Sequence, residues 1–518
     1  MARTGDNRRC QIQIHGKINP VCGNGLIYLN FIHTENNTKQ SIMKTRNFIM
    51  LSAAFAFMFA ACEKENGSNA GNGSDNGGDG QQTDETVQTV SGVWESGTTV
   101  NVDKHLLVPE GESLTIEPGV TVIFSSEGVG INHVPIEFTV DGNLYCLGTE
   151  DQPVLLTVAE ADRTYANTFA ALWGGIVAGA TCEEMIIDHT VIEYTGGEVV
   201  EGSPAAENGY YTAGDDAYPQ ITTNNVNGKY VITNSIIRNG WSDGIYMMGG
   251  NAIIANNIFS ATGYDGAEAV NVKSGCKVDV AGNIMFSPNT NGLKLSSSDQ
   301  DEVRHQALIQ AYNNTIINSG WRRDGEKGGC IYVEEMANVS VFNNLLVNCK
   351  FRAITPAYGT PTEEDCYDRE HSMIDYNFYA SGTVKVSEDH YFGGEYEDDG
   401  EILEYSGVWY AYEGYAFDHA EYDNEKVDAN SKIAKTETDA KSLDPKFVNY
   451  SLDADPSLYQ WNDSWDFHVQ AGSPVLEGAY TPADASRKPF YAESGLSVNG
   501  KTYTSPAVQP YFGAFGTK

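Results

Sequence analysis

The chain has 518 residues, 41% of them hydrophobic, with 32 Lys+Arg against 70 Asp+Glu and a formal net charge of −38. So acidic a body repels nucleic acid and anionic lipid headgroups, and a polyanionic glycan would need bound cations or a local basic patch. The length suits one elongated domain or two compact ones.

Residues 1–42 carry no export feature and precede a better start, so they are read as a spurious upstream extension. From Met43 the chain runs Met43-Lys44-Thr45-Arg46, then an apolar stretch from Phe48 to Ala61, then Cys62. A basic start, a short apolar core and small residues at the break are the layout of a secretory signal, here residues 43–61. About 14 apolar residues are too few to span a bilayer of about 30 Å as a helix. The break Phe59-Ala60-Ala61-Cys62 resembles the lipobox of bacterial lipoproteins, which implies that Cys62 is the lipidated first residue. The alternative is an ordinary signal with an incidental cysteine. Residues 62–89, rich in Gly, Asn, Ser and Asp, have little to bury and read as a flexible tether. Glu63-Lys64-Glu65 looks like the acidic tag that sends some Gram-negative lipoproteins to the cell exterior, which implies an outer-membrane protein exposed at the surface.

The middle of the chain repeats itself. Asn234-Ser-Ile-Ile237, Asn256-Asn-Ile-Phe259, Gly282-Asn-Ile-Met285, Asn313-Asn-Thr-Ile316, Asn343-Asn-Leu-Leu346 and Tyr376-Asn-Phe-Tyr379 share one plan. Asp188-His-Thr-Val191 fits the same frame. A strand-sized unit separated by Gly/Asp-rich spacers of variable length marks a solenoid. The units are short, rich in β-branched residues and bounded by Gly or Asn, so they are strands. The second position holds His189, Ser235, Asn257, Asn283, Asn314, Asn344 and Asn377. Coils about 4.8 Å apart would stack these side chains into a hydrogen-bonded ladder, and Asn also tolerates the left-handed bend between sheets. The column is therefore structural.

On these residues the chain resembles the pectin-lyase-like superfamily of right-handed parallel β-helices, especially its lipid-anchored surface members. Leu106–Phe124 is similar to their first coil. Val140-Asp-Gly-Asn-Leu144, Pro153-Val-Leu-Leu-Thr157 and Trp173-Gly-Gly-Ile176 continue it, and Leu443-Asp-Pro-Lys-Phe447 with Asp466–Pro474 resembles the closing segment. The resemblance implies an all-β solenoid over 90–380 and a closing segment over 441–518. It implies no single activity, because such helices serve lyases, hydrolases, esterases, epimerases and adhesins. The Gly-His-Gly and Arg-Ile-Lys motifs of polygalacturonases do not occur here.

Two stretches break the rhythm: a Tyr/Asp/Gly-rich loop from Glu201 to Gln220, and an acidic, Tyr-rich insertion over 381–440, expected as a lobe on the helix flank. The carboxylates between Glu388 and Glu425 are a candidate Ca²⁺ site, since Ca²⁺ takes six to eight oxygens; plain solvated acidic surface is the competing reading. Six cysteines lie beyond the tether, at 146, 182, 276, 330, 349 and 366, and their spacing assigns no pairing.

The remaining signal follows the strand repeat. Asn239-Gly240-Trp241-Ser242-Asp243, Thr262-Gly263-Tyr264-Asp265 and Ser319-Gly320-Trp321-Arg322-Arg323-Asp324 each place an aromatic after glycine and an aspartate just beyond. If register holds, these residues share one edge. There Trp241, Tyr264, Trp321 and Asp324 are candidate polysaccharide-binding residues, because aromatic faces suit sugar C–H surfaces and carboxylates accept from hydroxyls. Asp243 with Asp265 is the candidate hydrolytic pair. Arg322, Arg323 and Lys327 are candidates for uronate binding or, in a lyase, for the base. The competing reading has the aromatics packing coil on coil and the aspartates capping bends. The expected function is a surface lipoprotein that binds or processes extracellular glycans; the alternative is a non-catalytic adhesin or structural protein.

Overall fold

The computed structural model describes residues 86–264, 266–323, 328–350, 354–356, 367–384, 395–398, 401–404, 410–412, 427–482 and 487–518. The described chain winds as a right-handed parallel β-helix through three parallel sheets of ten, ten and eleven strands. Each coil gives one short strand to each sheet in turn, as in Ile245–Met247 (sheet 1), Gly250–Ala255 (sheet 2) and Ile258–Thr262 (sheet 3). Alternation decides what goes inside: Ile245, Met247, Ala252, Ile254 and Phe259 from this coil all enter one apolar core. Like residues stack from coil to coil, so Ile221, Ile245, Val270, Leu293 and Ile331 form one file. No helix among the described residues is long and apolar enough to cross a membrane.

The asparagine ladder forms between sheets 2 and 3. Each amide donates to the next residue's Oδ1, at 3.0 Å for Asn257 to Asn283, 2.9 Å for Asn283 to Asn314 and 3.0 Å for Asn314 to Asn344 and Asn344 to Asn377. The same amides also donate across the coil to backbone carbonyls such as Ile254 and Val280. The left-handed bend, however, falls one residue earlier, at Asn234, Asn256, Gly282, Asn313, Asn343 and Tyr376. The first segment was framed one residue out. Val191 pairs with Ile236, so Thr190 occupies the ladder position and donates its N–H to Ser235 Oγ, while His189 takes the positive φ.

The chain re-enters the solenoid beyond the expected end of the repeat, where Lys432–Ile433 pairs with Phe378–Ala380 in sheet 3. Of the acidic insertion, an antiparallel hairpin of Glu395–Asp398 and Glu401–Glu404 is described; most of Glu388–Glu425 lies outside the described residues. Cys330 and Cys349 form a disulfide, and Cys146, Cys182 and Cys276 are buried thiols.

The C-terminal part runs back along the flank. Phe447, Phe467 and Phe512, with Tyr450, Trp461 and Trp465 beside them, pack on Phe286, Leu345 and Phe378 of sheet 3. The hairpin Leu496–Val498/Lys501–Tyr503 covers Tyr145, Ile186, Val231 and Ile253 of sheet 2. Fully buried Asp279 ties it there, accepting from the N–H groups of Phe490 and Tyr491 and from Ser505 Oγ. Sheets 2 and 3 thus have covered outer faces along these coils. The central outer face of sheet 1 carries polar side chains instead.

Candidate functional site

The three glycine-led aromatics do not share one fate. Trp241 and Tyr264 lie on adjacent coils, linked by Tyr264 N–H donating to Trp241 O at 2.7 Å, and their rings stack at 4.7 Å with 17° between planes. Tyr264 is 56% exposed. Trp321 is 4% exposed, and its indole N–H donates to Asn348 O at 2.5 Å. It is a packing residue, which removes it from the expected sugar-binding set. Asp265, Asp324 and Lys327 lie outside the described residues.

Arg322 is also corrected. Its guanidinium donates to Gly263 O (2.6 Å), Thr262 O (3.0 Å), Ser287 O (2.7 Å) and Ser287 Oγ (3.2 Å). It lies 4.8 Å from the centroid of Phe169 and 5.4 Å from that of Tyr459. Burial pulls its pKa down to about 9, which leaves it charged at neutral pH. A charged guanidinium with its donors committed is a clamp across coils, neither a free uronate ligand nor a base. Arg323 sits beside Gly266, with Nη1 3.1 Å from where a Cβ at that position would stand.

Asp243 opens the site that the fold does build. It lies just before the sheet 1 strand Ile245–Met247, and the following coils repeat its local pattern: Asp243-Gly-Ile-Tyr-Met247, Glu268-Ala-Val-Asn-Val272, Asn291-Gly-Leu-Lys-Leu295, Gly329-Cys-Ile-Tyr-Val333. The second residue must be small, since a Cβ on Gly244 would stand 2.6 Å from Ala269 O. The third and fifth enter the core. The first and fourth point outward and stack into files, so Tyr246, Asn271, Lys294 and Tyr332 share one register.

Across these files runs a hydrogen-bonded floor. Asp243 Oδ1 accepts Glu268 N–H at 2.5 Å, and Glu268 Oε1 accepts Asn291 Nδ2 at 3.0 Å. Asn271 Nδ2 bridges the two carboxyls, at 3.3 Å from Asp243 Oδ2 and 3.4 Å from Glu268 Oε2. Its own Oδ1 is buried and has no donor among the described residues. Beyond the carboxyls, Lys294 pairs with Glu334 at 3.1 Å, and Lys273 Nζ lies 5.7 Å from the Tyr246 centroid.

Burial, and then the Glu268 charge, push the pKa of the Asp243 carboxyl well above its ordinary value. Burial, with Lys294 nearby, lowers the Lys273 ammonium. Burial would lower Lys294 as well, but Glu268 and Glu334 outweigh it and hold its pKa up. A carboxyl raised by burial, in the same floor as an amine lowered by burial, marks an environment that disfavours charge, as acid–base sites do.

The floor meets solvent in a cleft of about 300 Å³ lined by Tyr211, Asp215, Asp216, Trp241, Asp243, Tyr246 and Gly266, among others. Its far wall is the 201–220 loop, which buried Glu137 secures by accepting from Ala205 N–H and Tyr218 O–H, each at 2.8 Å. Tyr211 O–H and Thr222 Oγ1, 2.6 Å apart, fix the wall to sheet 1.

Among the described residues, Asp243 is thus the one expected catalytic residue seated in this cleft. The carboxyl brought to it from the next coil is Glu268, which sequence reasoning passed over together with Asn271, Lys273, Lys294 and Glu334. They lay in spacers counted as loop. The polar–small–apolar–polar–apolar pattern repeated there is the signal that would have found them. Among the described residues no group of three or more His, Cys, Asp or Glu is placed to hold a metal ion.

No curated protein and no solved structure matches the chain. A protein-family model, "Right handed beta helix region", matches residues 174–363, the stretch that carries the cleft and every ladder asparagine but Asn377.

Proposed function

We propose that the chain is a surface lipoprotein, anchored through Cys62, that binds an extracellular glycan in this cleft and protonates its glycosidic oxygen from the Asp243–Glu268 pair. The observation that carries the reading is a buried carboxyl, its pKa raised by burial and by Glu268, opening into a cleft walled by Trp241 and Tyr246. Trp241 supplies an apolar face to a sugar ring, and Asp243 supplies the proton that the leaving oxygen needs. Asn271 Nδ2 lies between the two carboxyls, 3.3 Å from Asp243 Oδ2 and 3.4 Å from Glu268 Oε2, so the two act together as one acid; as the C–O bond breaks, water adds to the anomeric carbon and returns a proton to the pair.

The test uses the purified full-length chain with an array of polysaccharides. Trp241→Ala should weaken glycan binding about tenfold, while Asp243→Asn should leave binding intact and slow cleavage at least about a hundredfold. Unchanged binding and turnover in both variants would sink the reading. One observation favours the adhesin alternative: Trp241 and Tyr264 turn ring faces toward each other, coil on coil, as a packing ladder does. Tight binding with no turnover would decide for it.

A further inference from the structure

We infer that the cleft recognises an ammonium group, and that the glycan it takes carries unsubstituted amino-sugar residues. The inference rests on the reading that a glycan occupies this cleft and adds the charge of that glycan. Three of the lining side chains are aromatic (Tyr211, Trp241 and Tyr246), three are acidic (Asp215, Asp216 and Asp243), and among the described residues the lining holds no Lys, Arg or His. Aromatic faces backed by carboxylates are the surroundings that bind ammonium groups, because the ring quadrupole and the carboxylate charge act in the same direction. A uronate brought to the same walls meets like charge, on a chain whose net charge is −38.

The position within the cleft follows from what is already engaged. Lys273 Nζ stands 5.7 Å from the Tyr246 centroid, so that end has its cation. Asp243 is committed to Glu268 N–H and Asn271 and is held toward its neutral form. At the loop end, Asp216 Oδ2 accepts only Thr212 N–H, and the Asp215 carboxylate accepts from no described residue. Both are free to take N–H donors from a ligand beside Tyr211 and Trp241. Arg323 stands behind Gly266, outside the described lining. The volume, about 300 Å³, is at the small end for ligand sites and suits a single sugar unit of a longer chain. An N-acetyl group would replace the charge and three N–H donors by one neutral N–H.

The experiment is calorimetry on the full-length chain with a glucosamine tetrasaccharide, its N-acetylated counterpart, tetragalacturonate and choline. The free-amine chain should bind about tenfold tighter than the acetylated one, and added salt should narrow the gap. Asp215→Asn combined with Asp216→Asn should bring the two to parity, while the melting temperature stays within a degree or two of wild type. Binding of choline better than the amino sugar would support the ammonium site and assign it to a choline-bearing ligand. Equal binding of chains of every charge, lost in Trp241→Ala, would overturn this inference and leave the glycan cleft standing. Preference for tetragalacturonate would overturn it outright, and binding of none of the four probes would count against both readings.

Discussion

Replacing Asn314 by Leu tests the ladder where it is most fully formed. Asn314 is fully buried; its Oδ1 accepts from Asn283 N (3.1 Å) and Asn283 Nδ2 (2.9 Å), and its Nδ2 donates to Val280 O (2.9 Å) and Asn344 Oδ1 (3.0 Å). Leucine nearly matches its shape and makes none of these bonds. Part of the network recovers, because Asn283 Nδ2 keeps Ile254 O and Asn344 Oδ1 keeps the Asn314 N–H. The Asn283 N–H is stranded. One stranded buried donor costs about 1–3 kcal/mol and each of the three other lost bonds about 0.5–1.5, which sets the expected loss at about 2.5–7.5 kcal/mol. Urea unfolding followed by circular dichroism measures it, provided the slope stays constant between variants. Asn256→Gly, which keeps the positive φ one residue outside another rung, is the control and should change stability by no more than about 0.5 kcal/mol. A loss below about 1 kcal/mol for Asn314→Leu would refute the reasoning, since the stacked amides would then be ornament on an apolar solenoid.

Truncating buried Trp321 to Ala should cost about 3–5 kcal/mol and leave glycan affinity alone, whereas a sugar-platform residue would do the reverse. The pH dependence follows from Asp243, whose folded carboxyl is raised above 3.8 by burial and then by Glu268. The folded chain keeps a proton that the unfolded chain releases, so this contribution to stability is complete below pH 3.8 and fades as pH rises toward the raised value. Glu268→Gln removes the neighbouring charge and should flatten that decline; parallel stability–pH curves for variant and wild type would contradict it. Cys62→Ala should move the protein from the membrane to the soluble fraction, and continued membrane association would exclude the lipid anchor.

Reading the repeat was possible because a solenoid writes its fold locally. Each rung meets only its neighbours, so a spacing of two to three dozen residues and an Asn in each rung are enough to recognise coils and their stacking. The frame was lost only at Asp188–Val191, where neither ladder nor bend is an asparagine and Thr190 replaces the amide with a hydroxyl-bonded N–H. Sheet 1 was the least legible sheet, since its strands are three or four residues long and sit between long spacers.

The candidate site was half legible. Asp243 stood out because it follows a glycine and an aromatic, and the aromatic Trp241 does line the same cleft. Trp321 carries the same local signature and is buried, because Asn348, twenty-seven residues on, lies across its indole. Arg322 reads as a free cation in the sequence and is spent on carbonyls one and two coils away. What the sequence by itself determined is the solenoid, its ladder and its inside–outside alternation, which depend on periods no longer than one coil. Only the tertiary structure decided which outward side chains meet across coils and which are covered by the 201–220 loop and the returning C-terminal segment. Those choices depend on spacer lengths and on segments up to 315 residues apart, as in Asn499 on Glu184, and no local pattern carries them.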